Sequence, residues 1–408
     1  MKVIEGGITA ASGFRAAGVH CGIKKEKLDL ALILSDTPAR VAIAYTRNKV
    51  RAAPIEVMMN KDPEFLQAFV ANSGNANALT GSKGMEDALA MVAQTAKELG
   101  MGEELVGVAS TGVIGRYLPM DRLTAGIPEV VRSLGKGKEY DDMAASAIMT
   151  TDTIKKEAAC KVTLEDGTIV TIGGMAKGSG MISPAMKALH ATTLSFVTTD
   201  ALLTKRADAK WQQALDRSFN MINVDGDQST NDISVLMANG AAGGRAVDDD
   251  PNFWEGVEHV LKTLAKMIVM DGEGATKLIE VSVKGAASES DARLAAKAVV
   301  SSNLVKAAIF GADPNFGRIL AAIGNSGCEF DLDRLQLTMA SNGTSAPLFD
   351  KGVPLTWGDS KIEPTARKIM GEKKITIKLD LGVGNHSAEA WGCDLSYDYV
   401  KINAQYTT

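Results

Sequence analysis

The sequence predicts an α+β fold in which helices and strands are arranged in layers. Residues 28–36 and 41–46 are short apolar runs bounded by turn residues, which is typical of buried strands. Residues 85–100 instead repeat apolar side chains at the helical period and end at a glycine. Because strand and helix patterns follow one another without strict alternation, a layered α+β arrangement is favoured over a single parallel sheet.

The remaining elements continue this mixture. Residues 155–164 and 168–178 flank the turn Glu-Asp-Gly and predict a β-hairpin. Asp200 is a candidate N-cap for an amphipathic helix over the residues that follow it. Residues 288–311 predict one long helix that begins at polar capping residues. The chain returns to strand patterns further on, so we expect a smaller C-terminal α/β subdomain over residues 325–408.

Charge and hydropathy argue against nucleic-acid-binding, membrane-spanning and secreted proteins. The chain has 44 basic and 49 acidic residues and a net charge of −5, so no basic surface argues for a nucleic-acid partner. It contains no apolar run long enough to cross a membrane. The N-terminus lacks the apolar core of a signal peptide. We therefore expect a cytoplasmic protein with neither a nucleic-acid nor a membrane partner.

The distribution of cysteine and histidine argues against a metal site. The four cysteines are scattered without a paired spacing, and the four histidines show no H-E-x-x-H pattern. We expect the cysteines to be buried free thiols. Residues 225–232 resemble a calcium loop only in their first positions and lack its glycine and closing glutamate, so a polar turn is the favoured interpretation.

Familiar catalytic motifs are missing, but small polar clusters recur. The sequence has neither a Walker-type phosphate loop nor a G-x-S-x-G nucleophile elbow. Each cluster alone predicts a turn. Together they indicate more than turns, because backbone N–H groups flanked by small side chains stabilise anionic transition states. The clusters, rich in Gly, Asn and hydroxyl residues, span 72–81, 109–115, 149–153, 176–184, 224–232, 271–277 and 311–318.

A nucleophile for such a site is available among the threonines of LHATTLSFVTTDA, residues 189–201. Threonine needs no His–Asp partners when it is N-terminal, because its own α-amine then acts as the general base. This chemistry requires cleavage of the chain just before the threonine. Ala191-Thr192 is the favoured junction because a small residue precedes the hydroxyl. Thr193 is a poorer candidate, and Thr198 and Thr199 are expected to be strand or helix-cap residues.

These clusters, in this order, resemble the ornithine acetyltransferase (glutamate N-acetyltransferase) family of arginine biosynthesis. The resemblance runs from GITAASGFRAAGVHCGIK through NSGNANALTG, STGVIG, MTTDT, GGMAKGSGMISP, ATTLSFVTTDA and DGEGATK to KINAQYTT and covers essentially the whole chain. It implies an N-terminal-nucleophile-like α/β sandwich that cleaves itself at Ala191-Thr192. The products would be an α chain, 1–191, and a β chain, 192–408, and two of each would form an α2β2 heterotetramer.

The resemblance also implies the reaction. Thr192 would take the acetyl group from N-acetyl-L-ornithine and pass it to L-glutamate in a ping-pong cycle. The family needs no cofactor for this reaction, and some members also use acetyl-CoA as a co-substrate to acetylate glutamate.

Site residues follow from the same resemblance. Thr111 and Gly112 correspond to the oxyanion-hole pair. A zwitterionic amino acid needs a cation for its carboxylate and an anion for its ammonium group, and Lys177 and Glu273 supply one of each. Within MTTDT, Thr151 is favoured and Thr153 stays open. The expected substrate contacts are Thr151 or Thr153, Lys177, Thr192, Glu273, Asn403 and Thr408.

One departure from the family pattern and two other hypotheses remain. The segment PAMKALHATTL before the nucleophile is longer than in the family, which could slow self-cleavage. An amidase or aminopeptidase with the same threonine nucleophile would release acetate without glutamate. An uncleaved amino-acid-binding or scaffold protein would stay a single chain.

Overall fold

The computed structural model describes residues 1–183, 193–356 and 361–405. The predicted site residues Ala191, Thr192 and Thr408 lie outside the described residues. The chain is divided into two compact units. The first unit comprises Met1–Phe219 with Asp227–Ile268, and the second comprises Asn220–Gly226 with Val269–Thr408. The subdomain expected over 325–408 thus falls within a larger unit, and the division of the chain at residue 191 stays a prediction about covalent processing.

The strands of the described residues are numbered in chain order. They are β1 (Lys2–Ile4), β2 (Phe14–Val19), β3 (Leu30–Tyr45), β4 (Phe65–Asn75), β5 (Val106–Val113), β6 (Lys156–Thr163), β7 (Ile169–Lys177), β8 (Leu194–Thr199), β9 (Ile222–Asn223), β10 (Ile233–Ala238), β11 (Leu278–Ala286), β12 (Gln336–Ser341), β13 (Thr344–Asp350), β14 (Val353–Pro354), β15 (Lys374–Asp380) and β16 (His386–Cys393). Nine of these described strands form the sheet of the first unit and seven form the sheet of the second.

The α-helices of the same residues are also numbered in chain order. They are α1 (Ala53–Lys61), α2 (Gly81–Leu99), α3 (Met120–Arg132), α4 (Lys138–Ile148), α5 (Asp208–Asp216), α6 (Pro251–Met270), α7 (Glu289–Ser301), α8 (Asn303–Phe310), α9 (Phe316–Gly324), α10 (Ile362–Met370) and α11 (Tyr397–Ala404). The mixture of sheets and helices confirms the predicted α+β class.

The sheet of the first unit folds over on itself at β3. Its order is β1-β6-β7-β8-β10-β3-β4-β5, with β2 also paired to β3. In a flat sheet, β8 and β4 would be separated by three inter-strand spacings of roughly 4.8 Å each. Yet the rings of Phe196 on β8 and Phe69 on β4 are edge to face with centroids 4.9 Å apart. The register of β3 shifts between Leu34 and Ala39, which marks the bend.

The folded sheet encloses one apolar core and brings distant strand ends together. Residues of β4, β5, β7, β8 and β10 contribute to this core, together with α2 and α3. On the far side of β7, an added Cβ at Gly174 would meet Val260 and Leu264 of α6 at 3.1 and 3.2 Å. The layers are therefore helix, sheet, sheet and helix, in agreement with the predicted layered sandwich.

The second unit has its own mixed sheet, ordered β14-β13-β12-β15-β11-β16-β9. The pairs β11–β15 and β16–β9 are parallel, and the others are antiparallel. Its centre is apolar, with Trp391, Val281 and Ile377 buried.

Several local predictions can be compared with these elements. The predicted hairpin is confirmed as β6–β7, and Thr198 and Thr199 are confirmed as strand residues, in β8. The two strands predicted over 28–36 and 41–46 are one strand, β3. The single helix predicted over 288–311 is wrong, because Ser302 interrupts it and caps α8 by accepting a hydrogen bond from Val305 N.

The prediction that Asp200 caps a helix is also wrong. Its carboxylate instead accepts hydrogen bonds from the backbone N–H groups of Thr171, at 2.7 Å, and Ser12, at 3.1 Å. The next helix, α5, begins at Asp208. Asp200 therefore joins two parts of the first unit rather than starting a helix.

Candidate active site

The predicted oxyanion pair lies at the end of β5, where β5 runs parallel to β4. Gly112 has φ +132°, and a Cβ there would approach the carbonyl carbon of Gly74 to 2.4 Å. This position therefore requires glycine for both its conformation and the close approach of the backbones. Thr111 is buried beside it.

Hydrogen bonds from buried asparagine side chains hold the end of β5 in place. The side chain of Asn72 accepts a hydrogen bond from Ser110 Oγ at 2.6 Å and donates to Asn75 O at 2.9 Å. Asn231, from the polar turn 225–232, donates to Ser110 O at 2.8 Å. The Asn-rich clusters of the sequence thus hold the residues just before Thr111 by side-chain contacts.

Lys177 reaches the predicted oxyanion pair from the end of β7. Its Nζ atom lies 3.4 Å from Thr111 Oγ1, and its side chain is buried. The next residue, Gly178, donates its N–H to Asp152 Oδ1 at 2.7 Å. Lys177 is therefore anchored between the end of β5 and the loop that contains Thr151 and Thr153.

The carboxylate of Asp152 accepts the hydrogen bonds that hold this loop in place. It accepts hydrogen bonds from Gly178 N and from Lys156 Nζ, each at 2.7 Å, and from Thr150 N at 2.9 Å. Burial would raise the pKa of Asp152, but the positive charges of Lys177 and Lys156 and these hydrogen bonds hold it well below the usual range. The carboxylate is therefore ionised and fixes the loop.

Thr151 and Thr153 line an open cleft of about 1170 Å³ in the first unit. Thr151 is half-buried and Thr153 is exposed. An ion pair joins Lys155 to Asp142 at 2.7 Å. The charged side chains that line the cleft are the acidic Glu26, Asp142, Asp152 and Glu157 and the basic Lys27, Lys138 and Lys155. Both threonines can meet a polar ligand, so the geometry does not choose between them.

Lys24 is a neighbour of the site that the sequence analysis missed. Its Nζ atom donates to Met149 O at 2.6 Å and to Leu28 O at 2.8 Å. Burial lowers the pKa of Lys24 to about 8, the charge of Asp29 opposes this shift, and the charge of Lys177 adds to it. In the sequence, Lys24 belongs to the charged run Lys-Lys-Glu-Lys, which is typical of a solvated surface. Nothing in this run predicts that Lys24 is half-buried near the candidate site.

Asp232 was also missed, because it ends a segment interpreted as a polar turn. It is buried, and its Oδ2 atom accepts no hydrogen bond from the part of the chain that the structure describes. The neighbouring Ile233 donates its N–H to Thr193 O at 2.9 Å. Thr193, the residue after the predicted nucleophile, is itself buried beside Asp232.

The other predicted substrate residues belong to the second unit. Asn403 on α11 donates from Nδ2 to Glu273 Oε2 at 2.8 Å. Glu273 lies in the turn after α6 and is largely buried. Gly274 has φ +70°, and a Cβ there would come within 2.4 Å of Tyr399 N, so this turn packs tightly against α11. The structure thus brings Glu273 and Asn403 together, and their roles stay predictions.

Comparison with known proteins identifies the family. The sequence model of the ArgJ family matches residues 15–408. A protein of Caldanaerobacter subterraneus subsp. tengcongensis, named "Arginine biosynthesis bifunctional protein ArgJ", is 48% identical over 100% of both chains. The chain belongs to the ArgJ family. The predicted family is thereby confirmed, as is the predicted link to arginine biosynthesis.

Further ArgJ relatives carry related names. A Methanothermobacter thermautotrophicus protein named "Glutamate N-acetyltransferase" is 44% identical and is matched over 100% of this chain and 99% of its own length. A crystal structure of an ArgJ protein from Bacillus halodurans is 44% identical, with a TM-score of 0.44, and covers 45% of this chain and 96% of its own.

Metal-ligand clusters and membrane spans are both missing from the described part of this ArgJ chain. Within residues 1–183, 193–356 and 361–405, no group of three His, Cys, Asp or Glu side chains is placed to hold a metal ion. Over the same ranges, none of the helices combines the length and the apolar character that a membrane span requires.

Proposed function

We propose that this ArgJ chain cleaves itself at Ala191-Thr192 and then transfers an acetyl group from N2-acetyl-L-ornithine to L-glutamate. In the cleavage step, the Thr192 hydroxyl attacks the carbonyl carbon of Ala191, and the Ala191-Thr192 amide bond breaks as an ester forms. Water then hydrolyses this ester. The products are a carboxylate on Ala191 and a free α-amine on Thr192.

The transfer reaction uses the same hydroxyl twice. The Thr192 oxygen attacks the acetyl carbonyl carbon of acetylornithine while its proton passes to the α-amine. The acetyl C–N bond breaks, and the departing ornithine amine takes up that proton. The glutamate amine then attacks the acetyl-threonine ester, so that N-acetylglutamate leaves and the Thr192 hydroxyl is restored.

The contact between Thr111 and Lys177 at the strand ends beside Thr193 is the observation that carries this proposal. Lys177 is paired with Leu194 across β7 and β8, so this contact supports an oxyanion donor and a cation close to the residue that follows the proposed nucleophile. Donors aimed at the oxygen that becomes negative, here Thr111 and Gly112, stabilise the tetrahedral intermediate. In the proposal, Lys177 binds the substrate carboxylate, with Thr151 or Thr153 as a further contact.

The remaining roles complete the proposal. Glu273 binds the substrate ammonium group, and Asn403 and Thr408 add polar contacts. We also propose acetyl-CoA as a second acetyl donor, because some members of the resembled family use it; the name of the Caldanaerobacter relative says only that this relative is bifunctional. We further propose that the enzyme needs no resident cofactor, acts in the cytoplasm and assembles as an α2β2 heterotetramer.

Intact mass under denaturing conditions, followed by N-terminal sequencing of the smaller fragment, tests the cleavage. Two chains are expected, the second beginning Thr-Thr-Leu-Ser-Phe. A single chain of 42.9 kDa would contradict the mechanism and favour an uncleaved binding protein.

An activity assay then tests the transfer. Acetylornithine with glutamate should yield N-acetylglutamate and ornithine in equal amounts. Release of acetate without glutamate would favour the amidase or aminopeptidase. Acetyl-CoA with glutamate, assayed separately, tests the second donor.

A further inference from the structure

Glu273 lies at the centre of a tight turn in the second unit. Ala275 donates its N–H to Gly272 O at 2.8 Å, which closes a four-residue β-turn with Glu273 and Gly274 in its middle. Gly274 has φ +70°, a conformation that glycine adopts without strain. Because Glu273 is a central residue of this turn, the backbone of the turn sets the direction in which its side chain points.

Ser396 links this turn to the start of α11. It occupies the N-cap position of α11, where a serine side chain ordinarily accepts a hydrogen bond from a backbone N–H of the first helical turn. Among the described residues, the Ser396 side chain accepts no such bond. Its Oγ atom instead donates to Gly274 O at 2.6 Å, and the residue is only 5% exposed. The hydroxyl therefore holds the turn and does not cap the helix.

The other end of α11 holds the Glu273 side chain itself. Asn403 donates from Nδ2 to Glu273 Oε2 at 2.8 Å. Asn403 follows Ser396 by seven residues, which is about two helical turns, so the two side chains lie on the same face. One of them fixes the carbonyl that directly follows Glu273, and the other fixes its carboxylate.

We propose that Ser396 is a positioning residue for Glu273, and that its hydrogen bond to the Gly274 carbonyl fixes the Glu273 carboxylate in the direction that binds the substrate ammonium group. This inference rests on the proposed role of Glu273 in substrate binding. Ser396 itself touches no substrate in this proposal and acts only through the turn.

A loss of the Ser396 hydroxyl should act locally. Asp394 separately holds the end of the turn, because its Oδ1 atom accepts from Thr276 N at 2.8 Å and from Lys277 N at 2.9 Å. The turn therefore stays attached to the unit, but the carbonyl of Gly274 loses its partner. Hydrogen bonds weaken as their geometry departs from the optimum, so a misdirected Glu273 carboxylate should bind the ammonium group less tightly.

The first test compares Ser396→Ala with the wild type as full chains, after circular dichroism and intact mass have established folding and cleavage. KM for acetylornithine should rise several-fold and at most about tenfold, the effect of one hydrogen bond, while kcat stays near the wild-type value. Ser341→Ala is the matched control, because Ser341 is also buried in this unit and donates from Oγ to Lys374 O at 2.7 Å. It should keep the wild-type KM.

A double-mutant cycle then asks whether Ser396 acts through Glu273. In the Glu273→Gln background, Ser396→Ala should raise KM little further, because the charge that it positions is already absent. Rises in KM that multiply would show that Ser396 acts independently of Glu273 and would overturn the inference.

The remaining outcomes separate this inference from the proposed function. An unchanged KM in Glu273→Gln would overturn the proposed role of Glu273, and the inference with it. A raised KM in Glu273→Gln with a wild-type KM in Ser396→Ala would overturn the role of Ser396 alone. Failure of Ser396→Ala to fold, or an equal rise in KM in Ser341→Ala, would mark the hydroxyl as structural and likewise overturn the inference.

Discussion

The Nζ atom of Lys177 lies 3.4 Å from the Oγ1 atom of Thr111, although the two residues are 66 positions apart. Their strands, β7 and β5, are far apart in the order of the sheet. They meet because the sheet folds back at β3, which stacks β4 against β8. The bend in β3 therefore brings a cation to the predicted oxyanion hole.

Replacing Lys177 with methionine should mainly impair substrate binding. The side chain keeps its length but loses the charge that we assign to the substrate carboxylate. Charge-assisted hydrogen bonds contribute roughly 1.5–3 kcal/mol, so kcat/KM for acetylornithine should fall about 10- to 100-fold. Steady-state kinetics measure this loss. Lys161→Met, on the exposed face of β6, is the matched control and should retain wild-type kinetics. Equal kinetics in both variants would remove Lys177 from the site.

Gly112→Ala should damage the predicted oxyanion hole itself. The added Cβ would come within 2.4 Å of the Gly74 carbonyl carbon, so the backbone at Gly112 must shift. Loss of one oxyanion donor typically lowers kcat by about 10²- to 10³-fold. Gly115→Ala is the matched control for the effect of the close contact. Gly115 also has positive φ, but an added Cβ there meets nothing within 4 Å. A kcat for Gly112→Ala as high as that of Gly115→Ala would contradict the assignment.

Thr192→Ala should remain a single chain and be inactive, because cleavage and acetyl transfer both need that hydroxyl. Denaturing electrophoresis and the acetyl-transfer assay measure the two effects. Thr193→Ala is the comparison, since Thr193 is the other candidate nucleophile, and it should still be cleaved. If Thr193→Ala alone stayed intact, the junction would lie one residue further along.

The local elements of the fold could be predicted from the sequence better than their breaks. The hairpin β6–β7 follows from two apolar runs and the turn between them. The bend in β3 depends on packing between elements, which no local pattern records. The interruption at Ser302 has a local cause, its N-cap hydrogen bond with Val305 N, which the continuous helical pattern masked.

In the candidate site, too, residues within sequence motifs could be predicted, whereas residues that depend on packing could not. Lys177, Thr111 and Gly112 stand in Gly-rich clusters and were found with the help of the family resemblance. Lys24 and Asp232 are distinguished by their burial and by neighbours that the chain brings together only on folding. A charged run and a polar turn gave no reason to select them.

Glu273→Gln should raise KM for acetylornithine or glutamate while cleavage remains intact. The substitution removes the charge assigned to the substrate ammonium group, but the amide oxygen can still accept from Asn403 Nδ2, now at 2.8 Å. Loss of one charge-assisted hydrogen bond corresponds to roughly a tenfold or greater rise in KM. Glu329→Gln, exposed in the same unit, controls for the change in net charge. Unchanged KM values for both substrates would exclude Glu273 from substrate binding.

Asp152→Asn should destabilise the first unit in a pH-dependent manner. Lys156 is fully buried and pairs with Asp152 at 2.7 Å, so the variant leaves a buried ammonium group without its counter-charge. Removing one partner of a buried ion pair costs about 3–5 kcal/mol. Because the folded-state pKa of Asp152 is lowered, the wild-type carboxylate contributes stability above its unfolded pKa of about 3.9 and loses it as pH falls further.

The measurement for Asp152→Asn is urea unfolding at pH 7 and at successively lower pH. The difference in unfolding free energy between wild type and variant should be largest at pH 7 and should shrink below about pH 4, once protons bind the unfolded carboxyl. Asp249→Asn is the control, because its pair with Lys205 is exposed and should change the unfolding midpoint little. If the Asp152 variant lost no more stability than this control, or lost the same amount at every pH, the ion pair would not be what holds Gly178 and Lys177 in place.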